Sequence, residues 1–226
     1  MIGGLIRAVE RNSQADVAYD TAIDHAVTCG FGFFTIGIEY AHEDTFELEA
    51  RINRVANPLA VHWDVNSDRF DASDWNYAFI SDLLSDDEFE ATYPKADKVH
   101  WEGGNKDQLY WRVDNRTRVA TYWSRVPKTR KLLLLSDGQA IREETMEDED
   151  VQAMMVVGGL SVLRERKVEY HEVMRRVING AEVLEEESWP GTMIPICPVW
   201  GDEFTIDGYR WLRSMVRDMA DPQRMF

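Results

Sequence analysis

Strand-like segments follow one another along most of this sequence without a crossover helix between them. That order points to an α+β fold built mainly from antiparallel sheets. The first segment, FGFFTIGIEY (Phe31–Tyr40), is aromatic and β-branched on both faces, as suits a strand covered on both sides. Gly32 and Gly37 within it mark a bulge or a close backbone approach. Phe46–Val55 alternates, with Phe46, Leu48, Ala50 and Ile52 on one face and Glu47, Glu49, Arg51 and Asn53 on the other, the pattern of a half-exposed strand. Asn57-Pro58 turns the chain into a short strand, Leu59–Trp63, and an acidic loop, Asp64–Trp75, leads to another strand at Tyr77–Leu84. Thr117–Val126 and Lys131–Ser136 read as paired strands, with Ser136-Asp137-Gly138 turning into Gln139–Arg142. Asn179-Gly180 is a hairpin signal between Arg164–Ile178 and Ala181–Glu186, and Pro195 and Pro198 enforce an extended stretch.

Helical signals are fewer. A long N-terminal helix is expected from Ala15 onward, where Ala18, Tyr19, Ala22, Ile23, Ala26 and Val27 recur at three- and four-residue spacing. Ser13 and Asp16 resemble its cap, and Leu5–Arg11 reads as a separate turn of helix. Ser85-Asp86-Asp87-Glu88 is a capping box for a short helix that Pro94 stops. Glu147–Leu160 reads as helical, with acids in its first turn. A last amphipathic helix is expected over Tyr209–Met219, with Trp211, Leu212, Met215, Val216 and Met219 on one stripe. Gly103-Gly104-Asn105 marks a junction.

Charge narrows the function classes. The 226 residues hold 41 acids against 25 Lys and Arg, a formal charge of −16, which opposes broad contact with duplex DNA or anionic lipid. No apolar run is long enough to span a membrane, and MIGGLIRAVERN lacks the apolar core of a signal peptide. Cys29 and Cys197 lie in apolar surroundings and read as buried, reduced thiols.

Catalytic signatures are missing: there is no GxxxxGK[ST], no GxGxxG between strand and helix, and no GxSxG. His171-Glu172 begins like a zinc-protease motif, but Arg175 stands where the second histidine belongs, and His42-Glu43 fails likewise. Asp64-Val65-Asn66-Ser67-Asp68 copies the first ligands of a calcium loop, but Arg69 replaces its glycine and Trp75 its bidentate glutamate. No catalytic, cofactor or metal residue is assigned. Arg112, Arg116, Arg118, Arg125, Lys128, Arg130 and Lys131 interleave with Tyr110, Trp111, Tyr122 and Trp123. That pattern suits stacking on single strands, or a hairpin with aromatics inward and charges outward.

Several stretches in order resemble the portal proteins of short-tailed bacteriophages. They are GFGFFTIGIEY with its following alternating strand, Asn57-Pro58, the acidic loop with Ser73-Asp74, SDDEFEATYP, INGAEVLEE, WPGTMIPICPVWG and RSMVRDMADPQRMF. The resemblance implies a structural subunit of a dodecameric ring at one capsid vertex, through which double-stranded DNA enters and leaves. It also implies contacts with other copies, the capsid, the terminase and tail adaptor proteins, and a place in the virion after assembly in the bacterial host cytoplasm. Portal subunits are much longer, so a fragment is expected. Residues 1–102 and 103–207 would be two halves of a wing-like region, and 208–226 the start of a stem helix. On that helix Arg210, Arg213 and Arg217 would form a subunit-interface face opposite the apolar stripe. The competing readings are an acidic cytoplasmic adaptor of similar fold that makes no ring, and a carboxylate-dependent hydrolase.

Overall fold

Two helices open the chain, one at the separate turn expected over Leu5–Arg11 and one from Ala15 as expected, but neither is long. The computed structural model describes residues 2–96, 111–147 and 158–225. Helix α1 (Ile2–Ser13) has 12 residues and α2 (Ala15–Cys29) has 15, with Gln14 between them in left-handed backbone at φ 50°. Ser13 caps nothing; its hydroxyl accepts the Ile52 N–H at 3.0 Å. The face α2 buries is made of small residues, Ala15, Ala18, Ala22 and Ala26, while Ile23 and Val27 stay exposed. Alanines permit a close approach of helix to sheet. At Gly32 a Cβ would stand 1.9 Å from the Ala22 carbonyl oxygen.

The first sheet has the order β10-β1-β2, formed by β1 (Phe31–Tyr40), β2 (Leu48–Arg54) and β10 (Ile196–Trp200), all antiparallel. Strand β1 is covered only in its first half, where Phe33 is fully buried; Ile36, Ile38 and Tyr40 are exposed, contrary to expectation. On β2 the expected sides are reversed over Leu48–Arg51, and the alternation breaks at Ile52, which is half-buried while Asn53 is exposed. Glu49 and Arg51 are half-buried because Arg51 donates to the Asn12 carbonyl of α1 at 2.9 Å, whereas Leu48 faces solvent.

The second sheet runs β3-β4-β6-β8-β9, built from β3 (Val61–Trp63), β4 (Tyr77–Ser85), β6 (Arg116–Leu135), β8 (Val162–Ile178) and β9 (Val183–Trp189). Two short strands, β5 (Arg112–Val113) and β7 (Ala140–Arg142), also pair with β6. The expected pair Thr117–Val126 and Lys131–Ser136 is instead one continuous 20-residue strand running through Pro127. The Arg125 N–H points to the β4 side, where it meets the Asn76 carbonyl at 2.8 Å. With a two-residue period, Pro127 nitrogen faces the same side, beyond the start of β4 at Tyr77, so its missing N–H deprives no ladder partner. The local signals elsewhere hold. Ser85 and Glu88 make the reciprocal capping box of α3 (Asp86–Thr92). Asn179 is fully buried in the β8–β9 turn, where its side-chain oxygen accepts from the Ala181 and Glu182 N–H groups at 3.0 and 2.9 Å.

At the C-terminal end the expected Tyr209–Met219 helix is corrected. β11 (Asp202–Ile206) and β12 (Tyr209–Arg213) form an antiparallel hairpin, and only then does α4 (Met215–Arg224) begin, capped by Ser214. Asp207 and Gly208, at φ 52° and 81°, supply the two left-handed residues of a tight hairpin turn. Pairings β1–β10 and β4–β6 cross the expected division at 102/103, so both segments contribute to common sheets. The Gly103-Gly104-Asn105 junction and most of the Glu147–Leu160 helix lie outside the described residues.

Phe33, Val61, Trp75, Ala78, Trp123, Val173, Ile194, Ile196 and Trp200 make the main core between the sheets. Replacing Gly32 with alanine drives a Cβ into backbone, which overpacks by about 1–3 kcal/mol or more. Gly37→Ala meets only the tip of Asn53 at 3.1 Å and is expected to cost under about 1 kcal/mol. Urea denaturation of the two variants checks the ranking; equal midpoints would refute the helix–sheet approach.

Candidate functional site

The calcium-like loop is a structural clasp. Asp64, only 2% exposed, accepts from the Asn66 N–H at 3.0 Å and from the Asn76 N–H and side-chain amide at 3.1 and 2.8 Å. Asp74 accepts from the Ser67 hydroxyl at 2.6 Å and the Asp68 and Arg69 N–H groups at 2.8 and 3.1 Å. Burial raises both carboxyls, but these hydrogen bonds outweigh it and hold both below the usual Asp range. The oxygens are thus committed to the loop's own donors. Two further bonds tie the loop to the sheets: Arg125 to the Ser73 carbonyl at 2.9 Å, and the Trp200 indole N–H to the Phe70 carbonyl at 2.8 Å. Among the described residues no group of three His, Cys, Asp or Glu is placed to hold a metal ion.

The basic and aromatic segment is absorbed into the sheet. Trp123 is buried edge-to-face on Trp189, and a Cβ at Gly180 would strike the Trp111 ring, so Trp111 lies over the β8–β9 turn. Arg112 pairs with Asp86 at 2.9 Å, Lys131 with Glu143 at 2.7 Å and Lys128 with Glu172, while Arg130 lies over the Tyr170 ring. The hairpin form of the pattern is not found, since β6 is continuous: Trp123 is buried, Tyr122 on the opposite face is half-buried, and Arg125 shares the Trp123 face; Tyr110 lies outside the described residues.

The three arginines proposed for an interface do not share a helix face. Arg210 is on β12, bonded to Glu203 at 2.8 Å and stacked 4.4 Å over the Trp200 ring. Arg213 ends the same strand and pairs with Asp218, and Arg217 lies in the first turn of α4. Two of the three are thus engaged within the chain.

Two clefts stand out. One, of about 540 Å³, lies between β1–β2 and the β9 end, lined by Ile36, Ile38, Leu48, Trp123 and Trp189 with Glu187 as its carboxylate. The other, of about 520 Å³, lies along the far end of the β6–β8 ribbon and includes Glu165. Glu187 is held by Arg175 at 3.0 Å. The carboxyls displaced from their ordinary range, Asp64, Asp71, Asp74, Glu88 and Glu172, all move downward, the direction of anchored anions rather than of a general acid. Cys29 is exposed rather than buried; Cys197 is half-buried, and desolvation pushes its thiol up to about 11.

What the sequence reading missed is an outward apolar face on the terminal hairpin. Phe204 is paired with Trp211 and Ile206 with Tyr209, and all four are exposed. The signal for it was Asp207-Gly208 between two alternating segments.

Among the described residues these are the features of a structural module: antiparallel strands around an aromatic core, with the loop carboxylates committed to the loop's own donors. A family model described as phage P22-like portal protein matches residues 1–226, and the chain belongs to that family, a structural one. A portal protein of Acyrthosiphon pisum secondary endosymbiont phage 1 is 25% identical over 237 residues, an alignment covering all of this chain and 32% of that protein. The chain therefore spans about a third of that relative's length. Phage portal proteins are virion components. No helix among the described residues is long and apolar enough to cross a membrane.

The clasp gives a pH dependence. Because folding lowers the Asp64 and Asp74 pKa values, their stabilisation is complete above the unfolded carboxyl range and is lost as pH falls through their folded values. Asp74→Asn is expected to cost about 1–3 kcal/mol at pH 7 and to flatten the loss of stability below about pH 4. Guanidinium titrations from pH 3 to 7 check both; an acid limb unchanged in the variant would refute the assignment.

Proposed function

We propose that this chain forms the wing-like region of a portal subunit, part of a ring at one capsid vertex that gives double-stranded DNA its way in and out. The observation that carries the reading is the family match across residues 1–226. In this reading the terminase, the capsid and tail adaptor proteins dock on the ring, and ring assembly takes place in the host cytoplasm before the virion is complete.

Charge supports it. Every Lys or Arg contact to phosphate releases counterions and holds DNA in place, which a sliding conduit must avoid. This chain carries −16 overall, and many cations of its most basic segment are engaged by its own carboxylates, carbonyls and rings. Packaging energy would come from the terminase, in keeping with a sequence that lacks a phosphate-binding loop.

Two outcomes are expected. Negative-stain microscopy of the full-length subunit should show closed rings; monomers at every concentration would overturn the reading. The 226-residue chain should not retain duplex DNA at about physiological salt and should not hydrolyse ATP. Micromolar affinity in a fluorescence titration, or turnover of ATP, would assign it another role.

A further inference from the structure

The β11–β12 hairpin is inside out for a surface element. A two-stranded hairpin is marginal alone in water, and its apolar face is ordinarily the one that packs. Here the inward face carries Glu203, Thr205, Arg210 and Leu212: Arg210 bonds Glu203 and stacks on Trp200, and Leu212 packs against the core. The outward face carries Phe204, Ile206, Tyr209 and Trp211, which are 38%, 52%, 73% and 54% exposed. With a full aromatic side chain worth roughly 150–250 Å², this exposed face comes to about 400 Å². That lies within the range of patches that mark interaction sites, and it is about half of the roughly 800 Å² that each partner of a standard interface contributes. Met215, Val216 and Met219 on α4, which follows directly, are also exposed and add to it.

A second uncovered surface lies on α1. Ile2, Leu5 and Ile6, spaced i, i+3, i+4, are 53–77% exposed, and no residue of this helix is buried. The two surfaces attach to opposite ends of α2. Helix α1 joins it at Gln14, whereas the β12–α4 junction packs at its far end, with Arg213 and Ser214 backbone against Gly30. Their local charges are opposite: α1 carries Arg7 and Arg11 against Glu10, net +1, and the hairpin Asp202, Glu203 and Asp207 against Arg210 and Arg213, net −1. An isologous pair would place the hairpin's net charge against itself; two different surfaces of opposite net charge suit a heterologous, head-to-tail contact.

We infer that the aromatic face of the β11–β12 hairpin docks on the aliphatic stripe of α1 in a second copy of this chain. The inference rests on the ring reading and names the surfaces that would join its subunits. Single-cysteine variants test it in a Cys29→Ser, Cys197→Ser background, one with Leu5→Cys and the other with Tyr209→Cys. Mixed and oxidised, they should give a disulfide-linked dimer on non-reducing gels that neither forms alone. In sedimentation, the Tyr209→Asp, Trp211→Asp double variant should self-associate at least tenfold more weakly than the parent with an unchanged circular dichroism spectrum. No mixed dimer, a Tyr209→Cys homodimer formed equally well, or unchanged self-association in the double variant would overturn the contact. Rings of the full-length subunit without the mixed disulfide would overturn this contact and leave the ring reading standing. The mixed disulfide without rings would uphold the contact and overturn the ring reading.

Discussion

Four aromatic side chains from distant parts of the sequence meet between the two sheets, and the architecture hangs on their contact. Phe33 of β1, Trp63 of β3, Trp75 at the end of the acidic loop and Trp200 of β10 lie with ring centroids 5.3–6.4 Å apart. Each pairing adds about 0.5–1.5 kcal/mol beyond the area it buries. The cluster also fixes polar groups, since the Trp200 indole that packs on Phe33 reaches out to hold the Phe70 carbonyl. From there the loop's carboxylates, the start of β4 and the Arg125 side chain fall into register. The clasp at Asp64 and Asp74 is therefore a consequence of the aromatic packing as much as of its own hydrogen bonds.

Features encoded by a few adjacent residues were legible in the sequence. The capping box at Ser85 and the turn at Asn179 follow from local chemistry, because the partners lie within three or four positions. Features decided by a distant neighbour were not. Pro127 looked like a strand end, yet it is tolerated because β4 starts at Tyr77 and the ladder on that side ends before the proline is reached. The apolar face of β2 looked like the packed one, yet Arg51 reaches α1 and turns the polar face inward. Residues 202–219 carried two patterns at once, a helical stripe over Tyr209–Met219 and an Asp207-Gly208 hairpin signal just before it. The hairpin prevailed because it places Arg210 between Glu203 and Trp200, and because Trp211 and Leu212, read as neighbours on one stripe, point to opposite faces of the ribbon. The three arginines were grouped by a periodicity the backbone does not have there.

The distribution of polar and apolar surface is coherent with a structural role. Carboxylates are spent on backbone donors, as at Asp64, Asp74 and Glu88, or on neighbouring cations, as at Asp86 and Glu172. Exposed apolar side chains lie on several elements, among them the terminal hairpin, α1 and the β1–β2 pair with Ile36, Ile38, Tyr40 and Leu48.

The pairing of β1 with β10 sets how late in synthesis the first sheet can be completed. Phe33 stands opposite Pro198, so 165 positions of chain must emerge from the ribosome before the first sheet closes. Until then β1 has only β2 beside it, and Phe31 and Phe33 await Trp200. Closing so long a loop is entropically costly and slow, and half-made chains expose their most adhesive strand throughout. The nascent polypeptide is therefore most prone to aggregate while it is being synthesised, and chaperone demand should fall sharply once Trp200 has been added.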